Sequence, residues 1–192
     1  MGRPSKNQQG PSAKERIEQA FWELLEEKPF HSITAKDLMK HAGVNRNTFY
    51  YHFESTEGLA VELVRSNIPV EFFGIMLNAF GDGNFDVSDA SAVPDLDRRF
   101  QRIRLILKNG EPCLMELGRK EVVSFFIREM RLDEKELSEF DYGKLDFIWG
   151  GIIRLLASAE ASTPERYLNQ LQSGIVQAVG PLVAQICEQG KA

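Results

Sequence analysis

Cysteine is scarce: the 192 residues hold only Cys113 and Cys187. Two thiols cannot build a disulfide framework or a four-thiolate zinc site. Both stand in apolar stretches, which predicts plain buried residues in a reducing cytoplasm. No uncharged apolar run reaches the roughly 18 residues of a membrane span; the densest, Phe147 to Ile153, is far too short. The opening MGRPSKNQQGPS has no apolar segment that would read as a signal peptide. HExxH, a nucleophile elbow, a Walker loop and a dinucleotide fingerprint are all missing. His31, His41 and His52 stand on separate short elements with no cysteine beside them. The expectation is a cytoplasmic protein with no catalytic residues, no metal, no cofactor and no membrane partner. Alternating strand patterns of useful length and internal repeats are also lacking.

What is present describes an ordinary globule, 43% hydrophobic and 27% charged, with a mean hydropathy of −0.28. At roughly 150 residues per domain, it is one domain or two small ones. Lys and Arg number 23 against 28 Asp and Glu, a net charge of −5. That average argues against a nucleic-acid partner, but the distribution does not. Residues 1–53 carry eight basic and six acidic side chains, net +2, and all three histidines. Residues 54–192 carry 15 basic and 22 acidic ones, net −7. Such asymmetry suggests a nucleic-acid-facing segment on an acidic body.

Along the chain the pattern is helical throughout, so the fold class is all-α. Residues 1–11 read as a flexible basic arm whose Arg3 and Lys6 could reach a minor groove. Ser12 and Glu15 have capping-box spacing, and Ile17, Ala20, Phe21, Leu24 and Leu25 make one apolar stripe. Pro29 ends that helix near Lys28. Thr34 caps a short second helix with Leu38, Met39 and Ala42 inward. Gly43 can take the positive φ that ends it. Asn45 caps a two-turn helix from Arg46 to Phe53, and Ser55 caps a fourth. Residues 81–94 read as a long loop. Further helical patterns cover about 95–109, 113–131, 142–160 and 163–188, the last with Ser162 and Glu165 as a capping box and a kink near Pro181.

Residues 34–53, TAKDLMKHAGVNRNTFYYHF, hold the informative chemistry. A short capped helix, a glycine turn and a second short helix make a helix-turn-helix, whose second helix offers its N-terminal residues to the major groove. Leu38, Ala42, Val44, Phe49 and Phe53 are spaced to lock the pair against the first helix. Arg46, Asn47, Tyr50, Tyr51 and His52 are left facing outward. Arginine can pair with guanine and asparagine with adenine, while Thr48 offers a methyl or a hydroxyl. Tyrosine hydroxyls and the His52 N–H suit phosphate oxygens.

Ile33-Thr34, Ala42-Gly43-Val44 and Thr48-Phe49-Tyr50-Tyr51-His52-Phe53, followed by a capped helix with Leu59, resemble the TetR family of bacterial transcriptional regulators. The likeness covers about residues 12–64. It implies an N-terminal three-helix helix-turn-helix domain (12–54), then a larger helical dimerisation and ligand domain (55–192) that begins with a connecting helix (55–68). It also implies a homodimer on a double-stranded, palindromic DNA operator, acting as a ligand-responsive repressor. By position, Lys36, Arg46, Asn47, Thr48 and Tyr50 fall where family members touch bases or nearby backbone, and Tyr51 and His52 fall at phosphate-contacting positions. One departure stands out: Thr56, between Glu54 and Glu57, occupies the place of a phosphate-gripping lysine, so a weaker contact is expected there.

Phe72, Phe73, Met76, Phe100, Phe125, Phe126 and Trp149 form an aromatic surplus that suggests a pocket for a small-molecule effector or a groove for a protein co-regulator. Gly150, Gly151, Ala157, Ser158 and Ala161, with Ser173, Gly174, Ala178 and Gly180, allow close helix approach. Ile152, Ile153, Leu155, Leu156, Ile175, Val176, Val179 and Val183 add apolar area, so these two helices are the expected dimer interface.

Overall fold

The computed structural model describes residues 10–82, 92–158, 163–170 and 176–189, and every regular element among them is helical. Calls on the N-terminal arm, most of the 81–94 loop, Ser162 and residues 171–175 lie outside the described residues. In chain order the helices are α1 (Ala13–Glu27), α2 (Ala35–Ala42), α3 (Arg46–His52), α4 (Thr56–Asn67), α5 (Val70–Asp82), α6 (Leu96–Asn109), α7 (Glu111–Glu129), α8 (Glu139–Ala157), α9 (Pro164–Gln170) and α10 (Val176–Gln189). A short 3-10 turn, Phe30–Ser32, links α1 to α2.

The first four helices begin where local chemistry starts them. Ser12 and Glu15 close a reciprocal capping box, Thr34 and Asp37 close another, and Asn45 and Ser55 accept from backbone N–H groups three residues on. Each cap satisfies donors that a helix leaves open at its start. Gly43 ends α2 at φ +62°, in the left-handed region that a side chain disfavours. There its own N–H and that of Val44 both return to the Met39 carbonyl.

Ile17, Ala20, Phe21, Leu24 and Leu25 of α1 are buried, as their spacing predicts, together with Leu38, Phe49 and Phe53. Trp22, outside the predicted stripe, is buried as well. Its environment explains this: the Arg102 guanidinium lies 4.9 Å from its ring centroid, so α6 covers it. Arg16 Nε donates to the Ala42 carbonyl at 3.1 Å, tying α1 to the end of α2.

The head is bolted to the body at the α6–α7 corner. Asn109 Nδ2 donates to the Leu25 carbonyl at 2.7 Å, and the His31 backbone N–H donates to Glu111 at 3.0 Å. The corner requires Gly110, because a Cβ there would stand 2.5 Å from the Ile106 carbonyl oxygen. Glu111 follows with φ +60°, and conformations of this kind cost a non-glycine residue about 1 kcal/mol or more. Buried Asn67 is satisfied on both ends, donating to the Leu63 carbonyl and accepting from Arg102.

Several expectations need correction. Gly81 and Asp82 belong to α5 rather than to the loop, since its backbone bonding continues two residues further than composition suggests. Helix α7 starts at Glu111 with Pro112 in its first turn, where a missing N–H does no harm. Helix α8 starts at Glu139 because Ser138 and Asp141 form a capping box. Over 163–188 two helices are described, and at the start of the first the Arg166 N–H donates to Thr163 Oγ1. Cys113 is exposed rather than buried. It sits in the first turn of α7, outside that helix's buried set, which starts at Leu114.

Candidate nucleic-acid interface

Helix α3 is held by one anchor. Phe49 is fully buried, stacked edge-on with Tyr50 and tilted against Phe53. With that ring inward, the seven-residue helix turns Arg46, Asn47, Tyr50 and Tyr51 to solvent and leaves His52 half-buried. Tyr50 is 46% exposed and Tyr51 is 83% exposed. Large aromatic surface left in water is unfavourable by about 25 cal/mol per Å2, so two such rings side by side indicate a surface built for contact. The Arg46 guanidinium lies 5.5 Å from the Tyr50 ring centroid, one turn away, which fixes both side chains in a shared pose.

Thr48 behaves differently from its neighbours. Its N–H and its hydroxyl both donate to Asn45 Oδ1, at 2.9 and 3.1 Å. The hydroxyl is therefore engaged in starting the helix, and the methyl is what remains for a partner. Tyr51 and His52 stack edge-on at 4.9 Å, so the histidine is oriented by the tyrosine beside it.

The basic residues of the head divide into two sets. Lys14 pairs with Glu62, Lys28 with Asp37, and Arg16 holds the Ala42 carbonyl. Lys36, Lys40 and Arg46 have no carboxylate within salt-bridge distance among the described residues. Lys36 is exposed in the first turn of α2. Sequence spacing does not separate these sets, because the carboxylates that neutralise the first come from other elements. Thr56, at the position of the absent lysine, is buried in the first turn of α4.

Beyond α4, five of the seven pocket candidates, Phe72, Phe73, Phe100, Phe125 and Phe126, form one ring-to-ring cluster. Phe72 and Phe100 stack with Tyr167, and Phe73 and Phe125 meet Phe126. Met76 is buried in the same core. Phe73 and Trp149 alone of the seven line an apolar cavity of about 30 Å3, enclosed with Val64, Ile103, Met115 and Gly118. Tyr167 was not singled out from the sequence, yet its hydroxyl is buried with no hydrogen-bond partner among the described residues, and burial pushes its pKa up.

The outer face of α8 holds what sequence reasoning missed. Phe140 and Phe147 are 83% and 69% exposed. They lie on one stripe with exposed Gly143, Gly150 and Gly151. The aliphatic residues expected at the interface, Ile152 and Leu156, point into the chain's own core. The signal was available in the spacing of Phe140, Gly143, Phe147 and Gly150, which recur on one helical face.

Residues 18–63 match the family model described as bacterial regulatory proteins, tetR family. The HTH-type transcriptional regulator EthR of Mycolicibacterium smegmatis is 38% identical over 63 residues, covering 33% of this chain and 29% of that protein. The chain thus matches less than a third of that relative's length. A solved structure, the TetR family repressor AlkX from Dietzia sp. strain DQ12-45-1b, implicated in biodegradation of n-alkanes, aligns over 92% of this chain and 97% of its own. Its TM-score is 0.41 and its identity 19%. Described helices α1 to α4, with the exposed face of α3, fill the matched segment. Residues 18–63 of the chain thus resemble the N-terminal segment of the tetR family of bacterial regulatory proteins.

Proposed function

We propose that the chain is a sequence-specific DNA-binding transcriptional regulator, a repressor acting as a homodimer on a palindromic operator and released by a small-molecule effector. The observation that carries this reading is the face of α3, where Arg46, Asn47, Tyr50 and Tyr51 stand exposed around one buried anchor, Phe49. Arg46 and Asn47 supply the donors that discriminate guanine and adenine, and Lys36, Tyr50, Tyr51 and His52 supply phosphate contacts. The Thr48 methyl is free to meet a thymine methyl. A gel shift on the DNA upstream of the chain's own gene tests the reading. Wild-type protein should shift it at a concentration where Arg46→Ala does not, and equal shifts by both would remove α3 as the reader.

Dimerisation is supported by the α8 stripe. Phe140 and Phe147 offer apolar area, and Gly143, Gly150 and Gly151 let a second α8 approach closely, a self-complementary arrangement suited to two-fold symmetry. A dimer would present two α3 helices to half-sites about 34 Å apart. Gly174, also a candidate, lies outside the described residues.

Effector binding is supported by the wholly apolar cavity behind Trp149. At about 30 Å3 it is far below the roughly 300 Å3 of a ligand site, so a ligand would select a conformation in which the Trp149 wall has moved. A ligand shifts regulation only by preferring one of the two states. Movement of α7 would reach the head through Glu111 and His31.

A further inference from the structure

Helix α6 runs against the charge of its surroundings. In 14 residues it carries Arg98, Arg99, Arg102, Arg104 and Lys108 against Asp97 alone, inside an acidic domain. Arg99 is neutralised by Glu71 at 3.0 Å. Arg104 donates to the carbonyls of Leu156 and Ser158. Arg102 spans Trp22 and Asn67 and has no salt bridge among the described residues. Arg98 and Lys108 have no carboxylate within salt-bridge distance among the described residues.

These side chains share a place. An open groove of about 690 Å3 runs between α1 and α6, lined by Gln19 and Glu26 on one side and Arg98, Gln101, Arg102 and Lys108 on the other. Arg98, Gln101, Arg102 and Lys108 recur at i, i+3, i+4 and i+10, one face of the helix. Arg104 lines the groove too, and Glu26 is the one carboxylate lining it among the described residues. Its walls therefore carry four cations and one anion. Burial and the neighbouring Arg98 push the Arg102 pKa down, while Glu18 and Asp95 act in the opposite direction.

We propose that this groove binds a small molecule bearing a polyphosphate group, which would bridge the DNA-reading head and the body. Arg98 and Lys108, with no salt bridge among the described residues, and Arg102 on the same helix face call for more than the single charge of one carboxylate. Guanidinium forks match phosphate oxygens in geometry, and the glutamines supply neutral donors beside them. The volume lies within the range of roughly 300–1,000 Å3 for small-ligand sites. The groove is distinct from the apolar cavity behind Trp149, since the two have only Leu107 in common.

Calorimetric titration of the full chain with inorganic pyrophosphate, against sodium chloride at matched ionic strength, tests the site. Saturable binding of one pyrophosphate per chain is expected, weakened about tenfold or more in the Arg98→Ala, Lys108→Ala double variant and retained in Arg98→Lys. Both altered side chains are exposed, and an unchanged thermal melt shows that the fold persists. Arg46→Ala should leave pyrophosphate binding intact, which separates this site from DNA reading by α3. Heat that does not saturate, heat that chloride reproduces, or undiminished binding by the double variant overturns the proposal. So does a double variant that loses affinity for duplex DNA with a shallower salt slope while pyrophosphate gives no saturable heat. That result would assign the cations to DNA phosphates.

Discussion

The head and the body use exposed aromatic rings in opposite ways. In the head, Tyr50 and Tyr51 stand beside an arginine with no salt bridge among the described residues and an asparagine, so the rings carry polar tips and charged neighbours. In the body, Phe140 and Phe147 stand among glycines and offer no hydrogen bond. The first surface suits a polar, charged partner such as a DNA backbone, and the second suits a dry contact with another helix. The same quantity, aromatic area in water, thus points to different partners according to what surrounds it.

The largest break in this comparison is Phe49→Ala. Removing a fully buried ring from a small core costs about 3–5 kcal/mol, and Phe49 is the only residue of α3 that is buried. The unfolding free energy of the head, measured by urea titration, should fall by that amount, and operator binding should disappear with it. A head that stays folded with α3 intact would show that Phe49 is not its anchor.

Next in size is the body's counterpart. Phe140→Asp with Phe147→Asp should leave the fold of a single chain within about 0.5 kcal/mol, because both sites are exposed. The same change should turn a two-chain particle into a one-chain particle in light scattering. A mass that stays at two chains would move the interface off α8. Third comes Tyr50→Ala, which should lower operator affinity by about 1–3 kcal/mol with the melting temperature unchanged. Loss of stability instead of affinity would make Tyr50 a packing residue.

How much of this was legible in the sequence depends on the distance over which each feature is decided. Ser12, Thr34, Asn45, Ser55 and Gly43 act within four residues, and the start of each helix in the head and the end of α2 could be read from them. The buried stripe of α1 followed from periodicity. Trp22 did not, because what covers it is Arg102, 80 positions away in sequence. The division of the head's cations into tied and unpaired sets was hidden for the same reason: Lys14 is neutralised by Glu62, and the spacing of Lys14 itself is no different from that of Lys36. In the body, aromatic content suggested one pocket. The rings instead stack among themselves, and Phe73 and Trp149 are the members of the named set that line the described apolar cavity.

The smallest effect offers the closest comparison, because head and body repeat one device. Thr34 and Asp37 cap α2 with Lys28 beside the carboxylate, and Ser138 and Asp141 cap α8 with Lys144 beside it. Both carboxyl groups are held below their usual range. In Asp37 the Lys28 hydrogen bond is the main cause, followed by Thr34, and the pKa falls from 3.8 to about 2. In Asp141 the Ser138 hydroxyl contributes most and Lys144 less. A carboxylate with a depressed native pKa contributes stability that is complete above its unfolded value and is lost as pH falls through the native one. The contribution of Asp37 should therefore disappear between about pH 4 and pH 2. Carboxyl-carbon NMR titration should place its midpoint at about 2, and Lys28→Ala should move that midpoint up. The corresponding change in the body, Lys144→Ala, should move Asp141 less than Ser138→Ala does. If the lysine change dominates at both caps, the two boxes share one electrostatic mechanism, and their difference in burial does not matter. If the order reverses between them as expected, the exposed cap relies on its ion pair and the buried cap on its hydroxyl.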